Sequence, residues 1–283
     1  MKKHLTTLLL IAIFIAGLCI LLYPSVSDYW NSMVQSKAIV DYEAALSNLT
    51  QKDYTDAFEA AYAYNAALRE VDFPLMYFDK LDEREDLQKY EDILNINGNG
   101  IMGYISIPKI KVELPVYHGT SASVLNVAAG HLEGTSLPVG GESTHCVLSA
   151  HRGLPSAKLF TDLDEMAIGD VFTITVLDQV LTYEVDQIKI VEPNEVDDLY
   201  VVEGEDYCTL VTCTPYGINT HRLLVRGTRI ETVEEKPTIY VPSDGFLIDE
   251  LIIAPVLAVP MLMVLLVFRM VRYRKKSGEK EGK

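Results

Sequence analysis

The sequence has 283 residues, enough for one or two domains with a hydrophobic core. Its net charge is −16, and the negative charge is concentrated between residues 24 and 250, where 38 Asp and Glu outnumber 15 Lys and Arg. A region this acidic does not attract nucleic acid or an anionic surface, so the composition excludes those partners. Four cysteines do not make a disulfide scaffold, and no zinc-type His or Cys spacing occurs, so no metal or other cofactor is expected.

Two apolar runs near the ends of the chain, residues 5–23 and 251–268, are each long enough to cross a bilayer as a helix. Lysines precede the first run and a basic segment, residues 269–283, follows the second. Because positive charge lies outside both runs, both termini are expected in the cytoplasm and the middle of the chain outside the cell. The first run could instead be a cleaved signal peptide. No small-residue cleavage site follows it cleanly, and Tyr29 and Trp30 resemble an interfacial anchor, so residues 1–24 are predicted to be a retained anchor.

Residues 25–70 are predicted to form extracellular amphipathic helices. The first lies near residues 30–49, and its apolar stripe consists of Val34, Ala38, Tyr42, Ala45 and Leu49. Thr50 and Asp53 form a capping-box-like start to the second helix. Its stripe consists of Tyr54, Phe58, Ala61, Tyr62, Asn65 and Leu68. Such stripes are normally buried, so the two helices are expected to pack on each other and on the domain that follows.

Residues 101–232 are predicted to form the main domain, which is mainly β. The predicted strands are 104–107, 112–117, 144–150, 171–176, 180–185, 188–191, 207–211 and 222–230. Residues 130–135 and 138–141 are predicted to be loops, and residues 158–166 a short helix. About eight regularly spaced strands with little helix favour a closed or nearly closed β-barrel. Residues 233–250, with two prolines, are predicted to be a linker back to the membrane.

Two stretches carry the residues best suited to chemistry. One is Thr209-Leu-Val-Thr-Cys213, an apolar strand that leads into a turn before Arg222. The other is Cys146-Val-Leu-Ser-Ala-His151, an apolar strand that ends in a histidine. A lone cysteine would be better explained as a buried structural thiol. A cysteine, a histidine and an arginine at the ends of three strands are typical of a nucleophile, a proton carrier and an oxyanion stabiliser.

These stretches resemble the sortases, which are membrane-anchored cysteine transpeptidases of Gram-positive bacteria. Thr209-Leu-Val-Thr-Cys213 matches the TLxTC signature of that family, and Arg222 falls at its arginine. The resemblance extends from about residue 103 to residue 230 and implies an eight-stranded sortase barrel. It implies that Cys213 is the nucleophile, His151 the general acid and base, and Arg222 the donor to the substrate carbonyl or oxyanion.

The long N-terminal extension and the second apolar run favour the pilus-assembling, class C, sortases. In that class the region equivalent to residues 71–100 is a lid whose Asp-Pro-aromatic motif covers the cysteine. This sequence lacks an Asp-Pro-Phe or Asp-Pro-Trp motif. Asp72 and Phe73, in Asp-Phe-Pro, and Phe78, in Tyr-Phe-Asp, are the candidate lid residues. A linker is the alternative interpretation of this segment.

The resemblance also implies a substrate with an LPxTG-like sorting signal, cut between Thr and Gly. In class C the acyl group passes to a lysine of the next pilin. Attachment of surface proteins to peptidoglycan is the alternative, because the sequence does not identify the amine. A membrane-tethered assembly scaffold without activity would leave Cys213, His151 and Arg222 unexplained. The oligomeric state is not predicted.

The remaining histidines and cysteines compete for the same roles. His118 and His131 lie in turn-like stretches, where a surface position or a lid contact is expected, and His221 should point away from Arg222 by strand alternation. Cys146 and Cys208 each lie five residues before a candidate catalytic residue. If the two strands are parallel neighbours, these cysteines are adjacent and could form a disulfide, although two buried thiols are favoured. Both should face away from the catalytic pair.

Overall fold

The computed structural model describes residues 2–71 and 84–232. The candidate lid residues Asp72, Phe73 and Phe78 therefore lie outside the described residues. The linker 233–250, the second apolar run 251–268 and the basic tail 269–283 lie outside them as well. The chain divides into two compact units, of which the second, Val26–Val233, contains the barrel.

A single 45-residue helix, α1 (Lys2–Leu46), joins the predicted N-terminal anchor to the first amphipathic helix. Its apolar window has a mean hydropathy of 1.9, and among the described residues α1 is the one helix long and apolar enough to cross a membrane. Two separate elements were expected, yet Pro24 lies inside the helix. A proline removes one intrahelical hydrogen bond, and many helices end or kink there. The turns on either side of Pro24 keep their own hydrogen bonds, and α1 continues through it.

The buried face of α1 is centred on Gln35, Ile39 and Tyr42, whereas the predicted stripe residue Val34 is 49% exposed. The Tyr42 hydroxyl donates to the Met102 carbonyl at 3.0 Å and accepts from the Leu177 N–H at 2.9 Å. The Tyr42 hydroxyl, the Met102 carbonyl and the Leu177 N–H thus all have hydrogen-bond partners. These bonds fix the helix against the barrel.

The second helix, α2 (Gln51–Leu68), begins with the predicted capping box between Thr50 and Asp53. Tyr62, expected in its stripe, is 44% exposed. The residues that α2 buries are Phe58, Ala61, Tyr64, Asn65, Ala67 and Leu68. The Asn65 amide accepts from the Leu137 N–H at 2.7 Å and donates to the Leu137 carbonyl at 3.2 Å, which docks α2 on the loop before the fourth strand.

Eight strands close into a barrel, as the sequence predicts. Their spatial order is β1-β2-β3-β4-β7-β8-β6-β5, and the pairing of β1 with β5 closes the barrel. The pairs β2–β3 and β4–β7 are parallel, and the other pairs are antiparallel. The strands are β1 (Ile101–Ile107), β2 (Val112–His118), β3 (Ala129–His131), β4 (Thr144–Ser149), β5 (Val171–Val176), β6 (Gln179–Val191), β7 (Asp206–Thr214) and β8 (His221–Ile230). A short helix, α3 (Ala122–Leu125), precedes β3.

Three predictions within the barrel are wrong. Gly130 and His131, expected at the start of a loop, lie in β3 between two longer strands. The two strands predicted at 180–185 and 188–191 are one strand, β6, because the shift in pairing between Val185 and Gln187 is a bulge and not a break. Residues 158–166 contain only the single 3-10 turn Leu163–Glu165 in place of a helix.

The parallel pair β4–β7 carries two hydrophobic clusters, one on each face. Inside the barrel the core includes Cys146, Leu148, Cys208 and Leu210. On the outer face, a smaller outer cluster is formed by Val147, Val211, Leu224 and Leu199, with Leu132, Val191 and Val196 packed against it. Successive side chains of a strand point to opposite faces. Even-numbered residues of β7 such as Cys208 and Leu210 therefore face the barrel core, and odd-numbered residues such as Val211 face the outer cluster.

Candidate active site

Cys213 lies one residue before the end of β7, on the half-buried rim of the barrel. A tight turn follows, in which the Ile218 and Asn219 N–H groups donate to the Pro215 carbonyl at 3.1 and 2.9 Å. Asn219 adopts a left-handed conformation with φ 61°, which asparagine tolerates better than most residues. The turn returns the chain directly into β8, so that Arg222 pairs opposite Cys213.

His151 lies two residues beyond β4, just past the last pairing of β4 with β7. Ser149 pairs with Val211, and the Ala150 N–H donates to the Val211 carbonyl at 3.2 Å. Extending that register by two residues would place His151 level with Cys213 on the neighbouring strand. The Phe160 N–H donates to the His151 carbonyl at 3.1 Å, which fixes the histidine backbone from the following loop.

Arg222 presents a half-buried guanidinium beside the β7–β8 turn. Its Nη1 donates to the His221 carbonyl at 3.1 Å and more weakly to the Asn219 carbonyl at 3.4 Å. Because Arg222 shares a face with Leu224 by alternation, it points to the outer side of the barrel, as Cys213 does with Val211. The structure thus brings the three sequence-predicted residues to one rim of the outer face.

This arrangement suits acyl transfer. The thiol, the imidazole and the guanidinium supply a nucleophile, a proton carrier and a two-pronged donor within one small region. All three are half-buried, so a substrate can reach them. The outer cluster continues from Cys213 along β7 as a buried apolar layer, and the partly buried Leu132, Val191 and Val196 pack against it. Within residues 2–71 and 84–232, no group of three or more His, Cys, Asp or Glu is arranged to hold a metal ion.

Two other histidines of the barrel are structural. His131, expected at the surface or against the lid, is 0% exposed in β3, with its Nε2 2.8 Å from the Ser136 carbonyl and its Nδ1 2.9 Å from the Tyr90 hydroxyl. The prediction failed because the short strand around His131 was not recognised. His145 is 1% exposed, and both of its ring nitrogens have partners, the Tyr200 carbonyl at 2.9 Å and the Thr209 hydroxyl at 2.7 Å. Burial lowers the pKa of His145.

The segment that follows residue 83 is held on the barrel by His118 and Tyr90. His118 ends β2, and its Nδ1 and Nε2 lie 2.9 and 2.8 Å from the carbonyls of Gly100 and Ile93. Tyr90, which is 3% exposed, accepts from the Gly119 N–H at 3.0 Å. His118, for which a surface position or a lid contact was expected, thus contacts the backbone of Ile93 and Gly100, in the described part of segment 71–100.

The register predicted for the interior cysteines is confirmed, since Cys146 pairs with Cys208 across the parallel strands. Both are free thiols in the barrel core, on the face opposite Cys213. Burial raises the pKa of Cys208 well above its ordinary value. Burial acts in the same direction on Cys146, whereas hydrogen bonds with Cys208 and His131 lower the Cys146 pKa.

Sequence reasoning missed Arg152 and the outer cluster. Arg152 has an 8% exposed side chain that donates to the Thr214 hydroxyl at 3.2 Å and forms an ion pair with Asp164. The available signal was its position, since Arg152 and Thr214 directly follow the candidate histidine and cysteine. Leu199 and Val196 of the outer cluster come from the β6–β7 connection, and no sequence pattern links them to the catalytic strands.

Comparison with known proteins gives a consistent result. The sortase domain family matches residues 105–230. A crystal structure of sortase C1 from Streptococcus agalactiae is 47% identical, aligns over 70% of this chain and 100% of that chain, and has a TM-score of 0.63. A lid mutant of Streptococcus agalactiae sortase C1 is 43% identical over 69% of this chain and 98% of that chain, with a TM-score of 0.60.

Among curated proteins, Sortase D of Bacillus subtilis (strain 168) is 30% identical over 131 residues, or 45% of this chain. The matched region spans 63% of that relative, which is less than two thirds of its length. The alignment with sortase C1 extends over the whole of that solved chain. The chain therefore belongs to the sortase family, and its solved relatives place it with the class C sortases.

Proposed function

We propose that this protein is a sortase transpeptidase that cleaves an LPxTG-like sorting signal between Thr and Gly. The observation that carries the proposal is that Cys213 pairs with Arg222 across β7 and β8, while β4, the strand that leads to His151, pairs with the other side of β7. Membership of the sortase family supports the same chemistry.

In the proposed reaction, the Cys213 thiolate attacks the threonine carbonyl carbon. Arg222 donates hydrogen bonds to the oxyanion that forms. His151 protonates the glycine nitrogen as the C–N bond breaks, which leaves a thioester on Cys213. An incoming amine then attacks the thioester and gives its proton to His151, and the new amide departs as the thiolate is restored.

The partly buried residues packed against the outer cluster, Leu132, Val191 and Val196, are proposed to contact the apolar part of the sorting signal. The buried Val211 and Leu224 beneath them lie two residues from Cys213 and Arg222 on the same faces of their strands. A leucine side chain of the substrate would thus pack on these three residues while its threonine carbonyl reaches the rim. Polar replacements of Leu132, Val191 or Val196 should raise KM more than they lower kcat.

The acceptor amine is proposed to be a pilin lysine, and the product an isopeptide-linked pilus. The support is the likeness to sortase C1 and the helical extension before the barrel. Attachment of surface proteins to peptidoglycan is the second candidate and uses the same site. A non-enzymatic scaffold is the third, and it gives no role to the rim residues.

The candidate lid remains a prediction that involves Asp72, Phe73 and Phe78. It is supported by a relative whose structure was solved as a lid mutant, and by the anchoring of Tyr90 and residues 93–100 on the barrel. If the segment covers Cys213, replacing Phe73 or Phe78 by Ala should speed both labelling of Cys213 and peptide cleavage. Unchanged labelling in the single and double variants would identify the segment as a linker.

The proposed location is the cell membrane of a Gram-positive bacterium. Both termini would lie in the cytoplasm, and the barrel would lie on the extracellular face. Its support is the long apolar helix α1 and the positive charge outside both apolar runs. Cysteines introduced before residue 5, after residue 270 and in the barrel would test this topology. On intact cells, a membrane-impermeant thiol reagent should modify the barrel cysteine and leave the two terminal ones unmodified.

The central test uses the full chain in detergent micelles with an LPxTG peptide. A methanethiosulfonate reagent should label Cys213 and abolish cleavage. In unlabelled protein incubated with the peptide, mass spectrometry should detect a thioester on that residue. Supplying a pilin with an accessible lysine or a peptidoglycan cross-bridge amine then distinguishes the acceptors. Cleavage that survives complete labelling of Cys213 would refute the proposed function.

A further inference from the structure

We infer that Arg152 is a positioning residue that ties the end of the histidine-bearing strand to the end of the cysteine-bearing strand. The inference rests on the proposed roles of His151 and Cys213, and it assigns a role to a side chain that the proposed chemistry does not use. It starts from the point at which the pairing of β4 with β7 ends.

The backbone ladder between the two strands stops before the proposed catalytic residues. Its last pairs are Ser149 with Val211 and the bond from the Ala150 N–H to the Val211 carbonyl. The Thr212 hydroxyl adds one more bond, to the Ala150 carbonyl at 2.8 Å. Strand ends without such bonds open at low free-energy cost, so the spacing of His151 and Cys213 needs another constraint.

Arg152 supplies that constraint with one prong of its guanidinium. Its Nη1 donates to the Thr214 hydroxyl at 3.2 Å, and Thr214 is itself 7% exposed. Arg152 directly follows His151, and Thr214 directly follows Cys213. The hydrogen bond between them therefore links the two chain segments one residue beyond the proposed catalytic residues. A hydrogen bond to a charged group contributes more than a neutral one, which suits a constraint at the point where the pairing of β4 with β7 has ended.

The second prong fixes the guanidinium from the other side. Its Nη2 forms an ion pair with Asp164, in the 3-10 turn Leu163–Glu165, and the guanidinium carbon lies 5.9 Å from the centre of the Tyr216 ring. Tyr216 also covers Gly153, where any added Cβ would lie 2.9 Å from the ring. A lysine could not make both directed contacts, because its ammonium group lacks the planar fork.

Stability alone does not explain this side chain. Among the described residues, the buried Nε of Arg152 has no hydrogen-bond partner. A buried donor without an acceptor destabilises the fold, and an apolar side chain of similar length would avoid that cost. The arrangement instead orients the two outer prongs toward Thr214 and Asp164.

The test compares R152M, R152K, T214V and T214S in the full chain in detergent micelles, with an LPxTG peptide as substrate. R152M should lower kcat roughly 10- to 100-fold, the scale expected when reacting groups are slightly misplaced, and leave KM unchanged. T214V should lower kcat on the order of 10-fold, whereas T214S, which keeps the hydroxyl, should restore it. R152K should fall between wild type and R152M. The double variant R152M/T214V should be no worse than R152M, because both changes remove the same bond.

The matched control is R226M. Arg226 also forms an ion pair, with Asp186 at 2.7 Å, and stacks on an aromatic ring, Tyr207, at 4.1 Å, but it joins β8 to β6 away from the rim. R226M should therefore change thermal stability without changing kcat. A loss of kcat in R226M equal to that in R152M would overturn the inference, as would wild-type kcat in both R152M and T214V.

Thermal unfolding of each variant, set beside its kcat and KM, separates positioning from general destabilisation. If Arg152 positions His151 beside Cys213, kcat of R152M should be reduced at temperatures well below its unfolding temperature while KM stays unchanged. R226M should keep its kcat at an equal loss of thermal stability. A loss of kcat in R152M that appears only where the protein unfolds contradicts the inference. Activity in C213A would instead refute the proposed function itself, so the two failures are distinguishable.

Discussion

Both ends of the parallel pair β4–β7 carry cysteine and histidine, but these residues are buried at one end and half-buried at the other. At the starting end lie His145, Cys146 and Cys208, which are buried and hydrogen-bonded within the protein. At the finishing end lie His151 and Cys213, which are half-buried on the outer rim. A thiol and an imidazole therefore do not make a site by being adjacent. They need a strand end, where the ladder stops and a substrate can approach.

The surroundings of the starting end explain why it is structural. The Asp206 carboxylate accepts from the Gly141 N–H at 2.9 Å and from the Tyr183 hydroxyl at 3.1 Å, which ties β7 to two other parts of the barrel. Burial raises the pKa of Asp206. Every polar group named at this end has a partner inside the fold, so little capacity remains for a ligand.

The largest effect expected from this comparison is that of C213A. This variant should abolish thioester formation and peptide cleavage while leaving the fold intact. C208A, which removes a thiol from the starting end, should keep activity and lose about 1 kcal/mol of stability from its small cavity. Intact-protein mass spectrometry after incubation with peptide measures the thioester. An acyl-enzyme in C213A, or an inactive but folded C208A, would remove the distinction between the two ends.

The next effect concerns the partners of Cys213. H151A and R222A should each lower kcat/KM on the order of 10²-fold or more, the usual scale for loss of an acid–base or oxyanion group. R222K should recover little of the loss, because lysine cannot donate a fork of hydrogen bonds. Steady-state cleavage assays give the values. Wild-type rates in H151A would show that another residue carries the proton.

Most of the barrel could be predicted from the sequence, because long apolar strands carry a strong local pattern. Strand β5 was predicted with its observed bounds, and the register of Cys146 with Cys208 followed from equal offsets. The failures were cases in which distant contacts decide the local structure. Strand β3 has three residues and exists because β2 and β4 lie on either side of it.

The site was predicted less completely than the fold. Local motifs point to Cys213 and His151 as candidates, but the contact of Arg152 with Thr214 joins residues 62 positions apart. The same holds for Leu199, which reaches the outer cluster from a connection without a strong pattern. Such contacts depend on the closed barrel, and a single sequence does not specify them until its strand order is known.

A smaller effect is expected in the pH dependence of stability, through His145. Burial lowers its pKa in the folded state, so the folded protein disfavours the charged ring. The contribution of neutral His145 is fully present above the unfolded pKa, about 6.5, and is lost as the pH falls below it. Chemical denaturation of wild type and H145Q between neutral and mildly acidic pH should show a shallower decline for H145Q. Identical slopes would exclude His145 as a source of the dependence.

The smallest expected effect is on the redox state of the starting end. Cys146 and Cys208 are level on adjacent strands, and an extracellular location would allow a disulfide. Side chains on neighbouring parallel strands point alongside one another, which is a poor approach for disulfide dihedral angles, and both cysteines are free in the barrel core. The intact mass of unreduced protein should therefore show no loss of two hydrogens. Thiol reagents should modify Cys213 in the native protein and reach Cys146 and Cys208 only after unfolding. A disulfide between Cys146 and Cys208, or native labelling of either at the rate of Cys213, would show that the starting end is more open than its packing indicates.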